Sequence, residues 1–236
     1  MPLIWLKKTL NHWLPQACVL CHCYHANPMA LCDECEASLP WLHHSCPRCG
    51  AHQSLMAEDT TCGNCLLEAP PYEQTLCPLS YDSTVGKFIY QLKFNHNLLY
   101  ARLFAQLLSR RVQGHYHTDL PEAIIPVPLH RSRMRKRGYN QALEIGRYLS
   151  KQLTVPLDYQ HCWRTKQTKA QAQLDFKARQ GNVSRAFRAR PMPYRHVAVL
   201  DDVVTTGNTA KAFCQTLQKA GVKRIDVWCC ARPPFD

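Results

Sequence analysis

The chain has 236 residues, with 29 Lys+Arg against 17 Asp+Glu and a formal charge of +12. That length suits one well-buried domain plus a small accessory module, and the charge favours phosphorylated or polyanionic partners. No apolar run approaches the roughly 20 residues that a bilayer-spanning helix needs. The expectation is a soluble, cytoplasmic protein with no transmembrane segment.

Residues 3–14 read as a short amphipathic helix stopped by Pro15. Charge at Lys7 and Lys8 interrupts the apolar opening too soon for a secretory core, and no small-residue cleavage site follows. The helix is expected to pack on its own protein, although Trp5 and Trp13 leave open a peripheral place at the inner membrane.

Nine of the 14 cysteines lie between Cys18 and Cys65. Eight form CxxC units: Cys18/Cys21, Cys32/Cys35, Cys46/Cys49 and Cys62/Cys65. With no export signal ahead of them, metal binding is the better reading than disulfides. A CxxC turn lets two thiolates face one ion, and two such turns complete a tetrahedral zinc site. Ten residues separate Cys21 from Cys32 and twelve separate Cys49 from Cys62, room for a small hairpin in each case. Sequential pairing gives two zinc ribbons; interleaved pairing is left open, as is whether one or two Zn2+ are held. Gly50, after Cys46-Pro-Arg-Cys49, is free to take the positive φ that such knuckles need. Cys23, His22, His25, His43 and His44 are spare, since the CxxC set already supplies eight ligands. A four-thiolate zinc has no open coordination position, so the module is structural. Whether it touches DNA or protein is not legible here.

Pro70-Pro71 makes a stiff break. It divides a cysteine-rich module, residues 1–69, from a second domain, residues 70–236. Only Lys7, Lys8 and Arg48 oppose six carboxylates in the first seventy residues, so the basic excess belongs to the remainder. It gathers at Arg131, Arg133, Arg135, Lys136 and Arg137, then as nine Lys/Arg against Asp175 alone from Arg164 to Arg195. Apolar spacing predicts helices near 85–94, 98–112 and 139–153, with a strand over 123–127 between the second and third. A strand over 197–200, a helix over 209–220 stopped by Gly221, and a strand over 224–229 then make a strand-helix-strand unit. This alternation implies an α/β fold with a parallel sheet.

The segment 197–209, Val-Ala-Val-Leu-Asp-Asp-Val-Val-Thr-Thr-Gly-Asn-Thr, is a buried strand, two carboxylates and a small polar turn opening a helix. Backbone N–H groups of Thr205, Thr206, Gly207, Asn208 and Thr209 can cradle a phosphate at the helix start, with the hydroxyls adding donors. Asp201 and Asp202 stand at the carboxyl end of the strand, where open α/β sheets bind ligands. As candidate catalytic carboxylates they can accept hydrogen bonds from a ribose diol or hold a hydrated Mg2+. The bland alternative is a strand-turn-helix whose acidic residues cap the helix.

The thirteen-residue pattern resembles the phosphoribosyl pyrophosphate (PRPP) signature of type I phosphoribosyltransferases. Ile-Ile-Pro126-Val127-Pro128-Leu129, Arg137-Gly-Tyr-Asn-Gln141 and the stretch from Arg164 to Phe187 resemble the ComF family, whose members carry a double zinc ribbon like the cysteine module. The resemblance covers essentially the whole chain. It implies a parallel-sheet phosphoribosyltransferase-like domain behind a zinc-ribbon module, and a role in natural competence, the uptake of single-stranded DNA. PRPP or a related ribose phosphate with Mg2+, single-stranded DNA and proteins of the uptake machinery are the partners it implies. By the same analogy Val127 lies in a pyrophosphate loop, where a strained or cis Pro-Val-Pro would expose backbone amides. Arg131, Arg133 and Arg137 would meet pyrophosphate charge. Arg164 and Lys166 would begin a polar lid running through Lys177, Arg179 and Asn182. Turnover, and onto which acceptor, is left open. So are a nucleobase salvage transferase and a non-catalytic module that binds single-stranded DNA. Trp228 could stack on a base and Arg232 could pair with it, although a core tryptophan is the simpler reading of Trp228.

Overall fold

The computed structural model describes residues 16–53, 60–165 and 186–234. The helix expected over 3–14, Lys166 and the rest of the expected lid as far as Asn182 lie outside these residues. Contacts divide the chain into two units, Met1–Pro40 and Trp41–Asp236.

In the smaller unit β1 (Gln16–Ala17) pairs antiparallel with β2 (Tyr24–His25), and α1 (Asp33–Ala37) follows from Cys32. These two-residue strands bury almost no apolar surface, so the geometry of the cysteines has to supply the fold.

The larger unit opens with the second pair of CxxC knuckles, which carry α2 (Gly63–Leu67). It continues into a parallel sheet of β3 (Gln74–Leu76), β9 (Arg224–Arg232), β8 (His196–Val203) and β5 (Ala123–Pro126), in that order, with β4 (Leu79–Ser80) also on β9. The Cys46/Cys49 knuckle is hydrogen-bonded to this sheet: Thr75 donates its N–H to Pro47 O at 2.9 Å and its hydroxyl to Arg48 O at 2.7 Å. Gly50 takes the positive φ expected of it, +69°. A Cβ there would fall 2.8 Å from Thr75 Cγ2 and 3.3 Å from Arg232 Cδ, so the knuckle lies directly on β3 and the end of β9.

The apolar run of β8 is buried along its length because helices cover both faces. Val197 and Val199 pack with Phe213, Cys214 and Leu217 of α7 (Asn208–Lys219). Leu200 instead meets α6 (Gln141–Leu153), where a Cβ on Gly146 would lie 3.3 Å from Leu200 Cδ2. Alternation along a strand therefore sends odd-numbered residues of β8 toward α7 and even-numbered ones toward α6. On the α6 side stand α3 (Ser83–Phe94), capped by Asp82 through Val85 N–H, and α4 (Leu99–His115), with a buried face of Leu103, Phe104, Leu107 and Leu108. A short basic helix, α5 (Arg131–Arg137), joins β5 to α6, and β6 (Cys162–Arg164) pairs antiparallel with β7 (Phe187–Ala189).

The helices at 83–94, 99–115, 141–153 and 208–219 match the expected elements to within a few residues. α5 and the β6–β7 pair were not expected, and β9 runs three residues past Cys229.

Candidate functional site

Two clusters of four thiols are present, Cys18, Cys21, Cys32, Cys35 and Cys46, Cys49, Cys62, Cys65, with all ligand atoms in each within 4.8 Å of one another. Pairing is sequential, not interleaved. Main-chain amides turn toward the sulfurs: Cys62 N–H donates to Cys46 Sγ at 3.3 Å and Leu20 N–H to Cys18 Sγ at 3.5 Å. Burial opposes ionisation of Cys18, but amides of Cys21, Cys32 and Leu20 outweigh it and draw the thiol down to about 6. Soft thiolates in tetrahedral fours are what zinc takes, and these are structural zinc sites. Cys23, His22, His25, His43 and His44 belong to neither cluster.

The second site lies where β8 ends. Asp201 and residues Val203 to Ala210 line a small open pocket. Gly207, at φ +76°, is the N-cap of α7 and makes no side-chain cap, so the first-turn amides of α7 open at this pocket. Arg232 holds the loop from beneath. Its guanidinium, 2 % exposed, donates to Val204 O at 2.8 Å and Thr205 O at 2.7 Å. Two carbonyls are thereby turned inward, and the Val204 N–H donates to Ala231 O at 3.3 Å, so the base of the loop is tied to the end of β9.

The adjacent carboxylates part company. Asp201, odd-numbered, stands on the α7 side and lines the pocket, whereas Asp202 points to the other side and forms an ion pair with Lys93 of α3, Nζ to Oδ2 at 2.6 Å. Burial and the neighbouring Asp202 push the Asp201 carboxyl up to about 8.

Arg164, 7 % exposed, lies with its guanidinium 5.1 Å from the centre of the Phe187 ring. Burial and nearby Arg133 disfavour its charge while Asp201 favours it, so Arg133, Arg164 and Asp201 share one electrostatic neighbourhood. Arg137 is directed elsewhere: it donates to Gln141 Oε1 at 3.1 Å and sits 5.6 Å from the Phe94 ring centre. Arg131 is exposed and lines a different cavity, beside β6.

The Pro126-Val127-Pro128 segment corrects one expectation, because among the described residues there is no cis peptide and Val127 has no positive φ. Val127 continues the β5 ladder: its N–H donates to Leu200 O at 2.8 Å and its carbonyl accepts from Asn140 Nδ2 at 2.9 Å. The amide is already used within the fold. Asn140 also accepts from Ala142 N–H as the cap of α6, tying the loop to that helix. Trp228 is fully buried with Nε1 toward Tyr116 Oη at 3.4 Å, so neither it nor Arg232 is placed to hold a base.

Lys93 and Arg232 are the residues that local sequence reasoning missed in these roles. Each meets its partner only through tertiary packing, and the one available signal was a cation at the end of an amphipathic helix or of a strand.

Residues 9–66 match the family model described as double zinc ribbon domain. Competence protein F of Haemophilus influenzae is 35% identical over 221 residues, covering 89% of this chain and 95% of that protein. DNA utilization protein YhgH of Shigella flexneri is 33% identical over 234 residues, 93% of this chain and 98% of the relative. YhgH of Escherichia coli K12 is 32% identical across the same shares. Among solved structures, the glutamine PRPP amidotransferase from B. subtilis complexed with ADP and GMP aligns with 55% of this chain and 25% of its own at 13% identity and a TM-score of 0.36, too loose a likeness to bear on function.

Proposed function

The chain belongs to the ComF family, that of competence protein F, and from that premise we propose that it binds PRPP with Mg2+ and serves the uptake of single-stranded DNA. The observation that carries the ribose-phosphate half is the pocket shared by Asp201 and the start of α7, with its loop held open by Arg232. Amides and hydroxyls of Thr205 to Thr209 hold the 5-phosphate, as helix amino-termini hold anions. Asp201 accepts from the ribose diol, and Asp202, held by Lys93, fixes the end of the strand.

Asp201 is also a hard oxygen donor of the kind Mg2+ takes, and Mg2+ bound with PRPP would neutralise pyrophosphate charge. Arg133 and Arg164, which share the electrostatic neighbourhood of Asp201, are the cations that would stabilise departing pyrophosphate, and Lys166, outside the described residues, is proposed to join them, whereas Arg131 lines the cavity beside β6. Arg137 serves the α5–α6 turn instead. Burial removes Trp228 and Arg232 as holders of a free nucleobase in a salvage-type transfer.

PRPP with Mg2+ is expected to raise the melting temperature, and Asp201→Ala/Asp202→Ala to abolish that rise. An unchanged melting temperature of the wild-type protein at saturating PRPP and Mg2+ would sink this reading. Pyrophosphate release from PRPP, with and without single-stranded DNA, then tests for turnover and for DNA as its trigger.

A further inference from the structure

We propose that the cavity between α5 and β6 is a stacking pocket for one unpaired base of single-stranded DNA, whose neighbouring phosphates lie along α5. The proposal deepens the DNA half of the function given above and rests on it. The cavity measures about 250 Å3. Pro128, Leu129, Met134 and Leu143 give it an apolar lining, completed by Tyr159 and Trp163. Those two residues are 49% and 42% exposed, as Tyr90 and Phe94 are elsewhere on the domain. One exposed aromatic needs no explanation. Two on the same cavity, next to a charged helix, form a platform with a wet and an apolar side.

The helix supplies the second observation. α5 reads Arg-Ser-Arg-Met-Arg-Lys-Arg, five cations in seven residues with no carboxylate, and its Arg131 and Met134 line the cavity themselves. A polyphosphate backbone is the complement of such a helix, and a flat apolar ring is the complement of the platform beside it. The volume lies below the roughly 300–1,000 Å3 typical of sites enclosing a drug-sized ligand, which suits one ring with its sugar outside. A paired base cannot enter without leaving its duplex, so the pocket selects single strands.

The lining also predicts indifference to sequence. Asn140 spends its amide on Val127 O and its carbonyl oxygen on Ala142 N–H, and the Arg164 guanidinium is stacked at Phe187. The polar groups carried by the other described lining residues include the Arg131 guanidinium, the Tyr159 hydroxyl and the Trp163 indole N–H, the last two on the stacking rings themselves, and stacking does not tell four bases apart.

The test uses the full zinc-loaded protein and fluorescein-labelled oligo-dT, followed by anisotropy against an abasic strand of equal length and a poly-glutamate competitor. Wild type should bind oligo-dT at least roughly tenfold tighter than the abasic strand. Trp163→Ala should lose that difference, Trp163→Phe should keep it, and both should melt at the wild-type temperature. A 5-iodouracil strand should photocrosslink at Tyr159 or Trp163. Equal binding of base-bearing and abasic strands, equal competition by poly-glutamate, or undiminished binding by both Trp163→Ala and Tyr159→Ala would overturn the pocket while leaving DNA binding intact. Failure of the wild-type protein to bind any single strand would overturn the DNA reading along with it.

Discussion

Lys93 Nζ sits 2.6 Å from Asp202 Oδ2, joining the last turn of α3 to the end of β8. That one cation is what lets a second carboxylate stand beside Asp201. The pair is mostly withdrawn from water, with side-chain exposures of 21% and 12%. Lys93→Met should therefore destabilise by about 3 kcal/mol, because Asp202 is left without its counter-charge. Adding Asp202→Asn should recover part of that loss. Urea unfolding of the four proteins of the cycle measures the coupling, and additive losses would show that the two residues act separately.

Asp201 gives a pH signature. Its carboxyl is raised to about 8 by burial and by Asp202. An acid raised on folding lends stability below its unfolded value of roughly 4, and that contribution is lost as pH climbs through the folded value. In magnesium-free buffer the wild type should thus lose stability between pH 4 and pH 8. Asp201→Asn should flatten that decline, melting higher than wild type above pH 8 and failing to bind PRPP. Parallel melting curves for the two proteins across this range would contradict the assignment.

At the opposite end of the sheet Asp226 behaves in reverse. Burial alone would raise it, but hydrogen bonds from His196, Tyr116 and Gln74 hold its carboxyl below the usual carboxylate range. A depressed carboxyl contributes stability above its unfolded value of roughly 4, lost as pH falls through the folded value. Asp226→Asn should cost about 1–3 kcal/mol at neutral pH and progressively less in acid. Because this network is remote from the end of β8 that meets α7, the shift given by PRPP should survive in the variant. Chemical denaturation at pH 7 and pH 3 reads both effects.

How much of this could be read from residue order depends on the range of each interaction. The segment from Val197 to Thr209 announced its strand, turn and helix because an apolar run, a left-handed glycine and a helix start lie within thirteen residues. The CxxC units were equally local. The helix α5 was seen only as charge: its seven residues hold Met134 as their one apolar side chain, so there was no period to find. The three-residue strands β6 and β7 form a hairpin whose partners lie far apart in sequence. Lys93 and Arg232 escaped for the same reason. The strained or cis Pro-Val-Pro was expected by analogy, whereas Val127 spends its amide and its carbonyl inside the fold, with no cis bond and no positive φ.

Arg232 offers a direct test of how the phosphate loop is shaped. Arg232→Met keeps much of the apolar stem but leaves the carbonyls of Val204 and Thr205 without their donor. PRPP affinity should fall on the order of tenfold, the effect of about 1.4 kcal/mol of lost preorganisation, with zinc content unchanged. Calorimetric titration with PRPP and Mg2+ measures it.

The contact of Gly50 with Thr75 and Arg232 makes the second zinc ribbon and the phosphate loop neighbours through a single side chain. Whatever free energy ties the ion to the loop must act in both directions. In an equilibrium competition with a chelator, PRPP should then tighten the hold of the Cys46 cluster on zinc by the same factor by which zinc tightens PRPP. A metal held away from the chemistry would in that way set how readily the ligand is kept.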